Sequence, residues 1–186
     1  PHRAPGAGGG GRGGARVLRS LQHPRGGGPT DSGAFGAYAA EARRTGKRSL
    51  AMAKPLKHSA ASLVAAARAQ IEEIDSEAGQ ALLERDDVLI VDLRDVRERQ
   101  RDGFIPGSFH CPRGMLEFWV DPESPYFKEE FGEDKTFVFH CASGWRSAIS
   151  TQLVQHMGLE KVAHLRDGFK GWEAAGGPIE KAPPRV

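Results

Sequence analysis

Cysteine is scarce in this 186-residue chain, which contains only Cys111 and Cys141. Two cysteines are too few for the disulfide framework of a small secreted protein, so that class is excluded. Long apolar runs are also lacking, and none approaches the roughly 20 residues of a membrane-spanning helix. The chain is long enough for one ordinary domain and a tail, but too short for two full domains. We therefore expect a single-domain cytoplasmic protein without a membrane partner.

Acidic residues are nearly absent from residues 1–51, which contain nine Lys or Arg but only two acidic residues, Asp31 and Glu41. Thirteen of the 24 glycines also lie in this segment, which has no apolar periodicity. Such a composition buries too little apolar surface to offset the entropy of ordering, so we predict a disordered basic tail. Its Arg-Gly-Gly triplets lack interleaved aromatic side chains, so no nucleic-acid partner is expected. An organelle targeting peptide and translation from an upstream start stay open as alternatives.

Predicted helices and strands alternate after residue 59. Ser59 can cap a first helix, whose packing face is marked at helical spacing by Leu63, Ala67, Ile71 and Ile74. We assign residues 52–73 to an N-terminal helical extension, residues 74–180 to the domain and residues 181–186 to a C-terminal tail. Strands are predicted at 87–93, 108–111, 136–140 and 161–165, and helices at 76–84, 147–157 and 169–175, with a helical turn at 114–119. This alternation is typical of an α/β domain with a largely parallel sheet.

Cys141 directly follows the buried-type strand 136–140, at the sheet edge where the loops of parallel sheets carry function. The next three residues, Ala142, Ser143 and Gly144, are small enough to let backbone amides approach an anion closely. Arg146 is the only fixed charge in this loop, and the N-terminus of the following helix adds partial positive charge. These surroundings stabilise a thiolate and suit an anionic substrate, so we predict that Cys141 is a nucleophile.

Four motifs follow one another along the chain: Val91-Asp92-Leu93-Arg94, Gly103-Phe104-Ile105-Pro106-Gly107-Ser108, His140-Cys141-Ala142-Ser143-Gly144-Trp145-Arg146-Ser147, and Gly168-Phe169-Lys170-Gly171-Trp172 with Gly176-Gly177-Pro178. On these motifs, the region from about Ile74 to Ile179 resembles a single rhodanese-like domain of the sulfurtransferase family. The resemblance implies a small α/β domain built around a five-stranded parallel sheet that is flanked by helices.

Cys141 stands at the position of the family's nucleophile. The resemblance implies that its thiolate attacks the outer sulfur of a donor such as thiosulfate, releases sulfite and becomes a persulfide. Cyanide or a thiol then accepts the sulfur, and a protein persulfide is an alternative donor. It further implies that Arg146 helps to hold the anionic donor and that no metal or organic cofactor takes part. The residues implied to cradle the persulfide are Ala142, Ser143, Gly144, Trp145, Arg146 and Ser147.

Two other functions stay open at this point. One is a non-catalytic rhodanese-like module that binds or regulates a partner, although Cys141 and Arg146 are both present. The other is a cysteine-dependent phosphatase or arsenate reductase, because the fold also hosts these enzymes. Their loop is one residue longer and accepts a tetrahedral oxyanion, so the six-residue loop from Cys141 to Arg146 favours sulfur transfer.

Four further side chains receive an interpretation from their sequence context. Cys111 is interpreted as a small buried residue, with a resolving or sulfur-accepting thiol as the alternative. Asp92 and Arg94 are expected to tie the domain together rather than to touch the substrate. For Trp145, shielding of the persulfide and packing on a neighbouring surface stay equally open. The two His-Cys dipeptides do not predict a metal site, because adjacent strand residues point to opposite faces of a sheet.

Overall fold

The computed structural model describes residue 54 and residues 56–181. Five strands form one sheet in the order β1-β5-β4-β2-β3, and every neighbouring pair is parallel. The strands are β1 (Glu73–Ile74), β2 (Val88–Asp92), β3 (Phe109–His110), β4 (Thr136–His140) and β5 (Val162–Leu165). The predicted α/β class with a five-stranded parallel sheet is thereby confirmed. Residues 1–51 and 182–186, for which tails are predicted, lie outside the described residues.

Six helices and two short 3₁₀ turns flank the sheet in the described part of the chain. The helices are α1 (Ala60–Arg68), α2 (Ser76–Gln80), α3 (Val96–Asp102), α4 (Leu116–Val120), α5 (Trp145–His156) and α6 (Gly168–Ala174). The 3₁₀ turns span Arg113–Met115 and Glu129–Gly132. Asp75 caps α2 by accepting a hydrogen bond from the amide of Ala78. None of these described helices has the length and apolar character needed to span a membrane.

Alternation of side chains along the strands divides the core into two apolar layers. Phe137, Phe139 and Cys141 face a layer that also contains Leu116 and Val154, so this face of the sheet lies against α4 and α5. The opposite face presents Ile90, Val138, Ala163 and Leu165 to α2 and α6, and α6 contributes Phe169 and Trp172 to this second layer. Since both faces are covered, all five residues of β4 are buried, as its uninterrupted apolar sequence predicts.

A third apolar cluster joins α1 to the outer side of α5. Val64 and Ala67 of α1 pack against Ala148 of α5, and the Trp145 ring packs on this cluster. Of the two interpretations of Trp145, the structure favours packing on a neighbouring surface. The predicted face of α1 is wrong at Leu63, which is 48% exposed, because the buried stripe runs through Val64 instead.

The sequence patterns do not predict two of the elements, β1 and α3, and the structure shows why. Strand β1 has only two residues, too few for any alternation to be recognised. Helix α3 has no buried residue and therefore no apolar periodicity, although a capping box between Asp95 and Glu98 marks its start. The remaining predicted elements are present, with shifts of a few residues at their ends.

Candidate active site

The loop after β4 is held tightly by the turn between β5 and α6. The Phe169 amide donates to the Cys141 carbonyl over 2.7 Å, and the Lys170 amide donates to the Ala142 carbonyl over 3.0 Å. Gly168 has φ 61°, and a Cβ there would collide with the Cys141 carbonyl oxygen. Gly144 has φ 81°, and a Cβ there would collide with the carbonyl oxygen of Arg166. Glycine is needed at both positions because the two backbones approach closely and φ is left-handed.

The Cys141 thiol lies at the base of this loop and is completely buried. Helix α5 begins at Trp145, and the amides of its first turn have no acceptor within the helix. The Ser147 hydroxyl, in the same turn, lies 3.7 Å from the Cys141 sulfur. The arrangement therefore places one hydroxyl next to the sulfur atom at the start of a helix, while Ser143 lies exposed on the loop.

Arg146 does not extend freely into the loop but pairs with Glu98 of α3. Both terminal guanidinium nitrogens donate to the two carboxylate oxygens, each over 2.8 Å. The hydrogen bonds from Arg146 lower the pKa of the Glu98 carboxyl, and the same contact raises the pKa of Arg146. Sequence reasoning missed Glu98, although the capping box of α3 was a local signal for it. An anionic donor would have to compete with Glu98 for the predicted donor-binding role of Arg146.

Asp92 and Arg94 form a buried ion pair behind the loop. The Arg94 Nη2 and Nε atoms donate to the Asp92 carboxylate over 2.8 and 3.0 Å, and Arg99 adds a third donor at 2.9 Å. Arg94 also donates to the Gly103 carbonyl, which ties the end of β2 to the end of α3. Burial by itself raises the pKa of Asp92, but His140 and Arg94 lower it to about 2. This geometry agrees with the interpretation that the pair ties the domain together.

A cavity of about 360 Å³ opens beside the loop, on the side where Arg94 lies. Ala142 and Phe169 contribute to its wall, and charged side chains of both signs surround it, among them Glu98 and Lys170. The Arg94 guanidinium lies 3.8 Å above the Phe169 ring. The cavity reaches the loop at Ala142, the neighbour of Cys141 in the chain, and is large enough for a small substrate.

His140 and Cys141 point to opposite sides of the sheet, as adjacent strand residues do. The His140 ring is completely buried and stacks on Phe169, with centroids 6.2 Å apart. Burial lowers the pKa of His140 to about 4, so the ring is neutral at neutral pH. It is thus a structural residue of β4 and not a base for the thiol.

The second thiol, Cys111, is fully buried in the apolar layer that also holds Cys141, and both cysteines are free. Burial, followed by the charge of Glu117, raises the pKa of Cys111 to about 12. A thiol that stays protonated at neutral pH is a poor nucleophile, so the interpretation as a small buried residue is favoured. Across the described residues, no group of three His, Cys, Asp or Glu is arranged to hold a metal ion.

Known proteins with similar sequence or structure place this geometry in a family. The family model of the rhodanese-like domain matches residues 76–175. The dual specificity phosphatase Cdc25 of Arabidopsis thaliana is 34% identical over 104 residues, which cover 51% of this chain and 68% of that protein. The thiosulfate sulfurtransferase GlpE of Pseudoalteromonas translucida is 31% identical over 94 residues, with coverage of 50% and 81%.

One solved structure is more similar in sequence than either of these proteins. It is a Rhodopseudomonas palustris protein of unknown function, described as a possible tyrosine phosphatase, with 50% identity and a TM-score of 0.67. The similarity covers 69% of this chain and 99% of that one. Because the family model spans more than half of the sequence, the chain belongs to the rhodanese-like domain family.

Proposed function

We propose that the protein is a sulfurtransferase that carries a sulfane sulfur as a persulfide on Cys141. The observation that carries the proposal is the small, closed loop between Cys141 and Arg146, which has only four intervening residues. The thiol is completely buried at its base, and the β5–α6 turn leaves no room behind it. A single sulfur atom is smaller than a tetrahedral oxyanion, so it fits this loop better.

The reaction proceeds in two substitutions at sulfur. The Cys141 thiolate attacks the outer sulfur of thiosulfate, the S–S bond breaks, and sulfite leaves with the bonding electrons. The persulfide is then attacked at its terminal sulfur by cyanide or a thiolate acceptor, and the Cys141 thiolate leaves. Helix amides at the start of α5 and the Ser147 hydroxyl stabilise the negative charge on sulfur in both states.

The reaction needs no cofactor, because both steps exchange one sulfur bond for another. The partners proposed are therefore a small-molecule sulfur donor and a thiol or cyanide acceptor. Similarity to sulfurtransferases of the GlpE type supports this assignment. The cytoplasmic location and the absence of a nucleic-acid or membrane partner stay predictions from the sequence.

A cysteine-dependent phosphatase is the second candidate, and a specific observation favours it. The protein at 50% identity is described as a possible tyrosine phosphatase, and a relative at 34% is named a dual specificity phosphatase. Against it stands the length of the loop, because only four residues separate Cys141 from Arg146, one fewer than in the loop that accepts a tetrahedral oxyanion. We therefore rank sulfur transfer first.

One experiment separates the candidates. The reduced protein is incubated with thiosulfate, its intact mass is recorded, and cyanide is then added while thiocyanate is measured. An adduct of one sulfur atom that maps to Cys141 and is released as thiocyanate supports the proposal. Cys141→Ser should abolish both signals, whereas Cys111→Ser should keep most of them and serves as the matched control. If the two variants behave in the opposite way, Cys141 is not the nucleophile.

Two other results would overturn the proposal. Absence of the sulfur adduct together with Cys141-dependent hydrolysis of an aryl phosphate would identify a phosphatase. Absence of both reactions in a folded, reduced protein would favour a non-catalytic binding module.

A further inference from the structure

The buried His164 connects the active-site sulfur to a carboxylate at the edge of the sheet. Its Nδ1 atom lies 3.1 Å from the Ser147 hydroxyl, and its Nε2 atom lies 2.9 Å from a carboxylate oxygen of Glu73. The same Ser147 hydroxyl lies 3.7 Å from the Cys141 sulfur. Cys141, Ser147, His164 and Glu73 thus form one continuous chain of polar groups, and the two-step sulfur exchange described above uses only its first two members.

The proton positions along this chain follow from the chemistry of its ends. Burial by itself raises the pKa of Glu73, but the contacts with His164, Arg68 and Arg166 outweigh it and lower the pKa. An ionised carboxylate only accepts hydrogen bonds, so the Nε2 atom of His164 carries a proton. In a neutral ring the Nδ1 atom then accepts the Ser147 hydroxyl proton. The Gly144 carbonyl, 3.2 Å from the Ser147 hydroxyl, and the Cys141 sulfur are competing acceptors for the same proton. When that proton is directed to Nδ1, the Ser147 oxygen is free to accept the proton of the Cys141 thiol.

We propose that Ser147, His164 and Glu73 form a proton relay that generates the Cys141 thiolate. The thiol proton passes to the Ser147 oxygen while the Ser147 hydroxyl proton passes to Nδ1 of His164. No proton is gained or lost overall, and the products are a thiolate and an imidazolium. Ser147 then donates its hydrogen bond to the thiolate, and the Glu73 carboxylate stabilises the imidazolium. His164 and Glu73 are positioning residues, because they act on the sulfur through Ser147.

The charged groups around His164 are suited to this role. Strand β1 places Glu73 directly beside His164 in the parallel register, and strand β4 places the apolar Phe139 on its other side. Arg68 of α1 lies 3.3 Å from the Glu73 carboxylate, and Arg166 lies 3.8 Å from it. These two cations keep Glu73 ionised and oriented. From α5, the residue that reaches the ring is the neutral Ser147.

The inference rests on the proposed function only in taking Cys141 as the nucleophile. Two of the residues that it needs, Arg68 and Glu73, precede the region matched by the family model, residues 76–175. The proposed relay is therefore assembled partly from residues outside the region matched by the family model.

The test measures the reactivity of the thiol rather than sulfur transfer. Alkylation of Cys141 by iodoacetamide is followed between pH 5 and 9 by mass spectrometry of the Cys141 peptide. At pH 7 we expect Ser147→Ala and His164→Asn to slow alkylation roughly tenfold, the equivalent of one hydrogen bond to a charged group. Glu73→Gln should slow it by roughly threefold, with its rate profile moved to higher pH. The matched control is Glu77→Gln, an exposed glutamate of α2 outside the relay, which should leave the profile unchanged.

A second measurement uses the unmodified sequence and so does not depend on whether the variants fold. Nitrogen-15 NMR of the histidine rings at pH 7 should show His164 protonated at both nitrogens in the reduced protein. After alkylation of Cys141, or in Cys141→Ser, the ring should be neutral because the thiolate partner is gone. An unchanged His164 signal, or unchanged alkylation rates in folded Glu73→Gln and His164→Asn, would overturn the relay. If the alkylation rates and the His164 signal behave as expected but thiosulfate is not turned over, only the proposed reaction is contradicted.

Discussion

Lowering the pH from 7 to 5 should destabilise this fold through the buried His140. The His140 ring is enclosed between Asp92 and Phe169, and burial lowers its pKa from 6.5 to about 4. Because the folded pKa lies below the unfolded one, the unfolded chain takes up a proton first as the pH falls. The stability from the neutral ring is complete above pH 6.5 and is lost progressively towards pH 4.

The size of the effect follows from these two pKa values. Between pH 7 and pH 5 the free energy of unfolding should fall by about 2 kcal/mol through His140 alone. The pKa values of Asp92, Glu73 and Glu98 lie below the ordinary values of these carboxyl groups, so their contributions are lost only at lower pH. This window therefore isolates the histidine from the buried and partly buried carboxylates.

Urea unfolding at the two pH values, followed by tryptophan fluorescence, measures the free-energy difference. The variant His140→Asn has no imidazole ring to titrate. The fall in its free energy of unfolding between pH 7 and 5 should therefore be about 2 kcal/mol smaller than in the unmodified protein. The matched control is His156→Asn, which removes an exposed histidine. Its free energy of unfolding should depend on pH as that of the unmodified protein does. If the free energy of unfolding falls equally in the unmodified protein and in His140→Asn, titration of His140 is not the cause of the pH dependence.

Two further substitutions test the ion pairs near the loop. Asp92→Asn should lower the free energy of unfolding by about 3 kcal/mol, because Arg94 then remains buried without a charged partner; an unchanged urea midpoint would contradict this. Glu98→Gln should release Arg146 and lower the KM for thiosulfate by roughly threefold. This is the modest effect expected from breaking a partly exposed ion pair. The matched control for the second change is Glu117→Gln, which breaks the pair with Arg113 and should leave KM unchanged.

The position of Cys141 could be predicted from the sequence because its signals are local. An uninterrupted apolar run indicates a buried strand, and the small residues that follow indicate a loop at its carboxyl end. The fold class could be predicted for the same reason, since most strands and helices carry their own periodicity. Sequence reasoning failed for β1 and α3, where two residues or a wholly exposed helix leave no periodicity to find.

The electrostatic partners of the site could not be predicted, because they are separated widely along the chain. Glu98 reaches Arg146 across 48 positions, and Glu73 reaches His164 across 91 positions. Each pair depends on the order of strands in the sheet, which brings β2 next to β4 and β1 next to β5. Neither His164 nor Glu73 belongs to a motif that would single it out in a sequence.

The two-residue strand β1 lies outside the region matched by the family model, residues 76–175, although it forms the edge of the sheet. Strand β5 bonds to it through the amides of His164 and Arg166, which donate to the carbonyls of Glu72 and Ile74. A fragment cut to residues 76–175 would end the sheet at β5, leaving those amides on an open, apolar edge. Such an edge is a template for pairing with a second chain and for aggregation. The region matched by the family model is therefore shorter than the segment that closes this sheet.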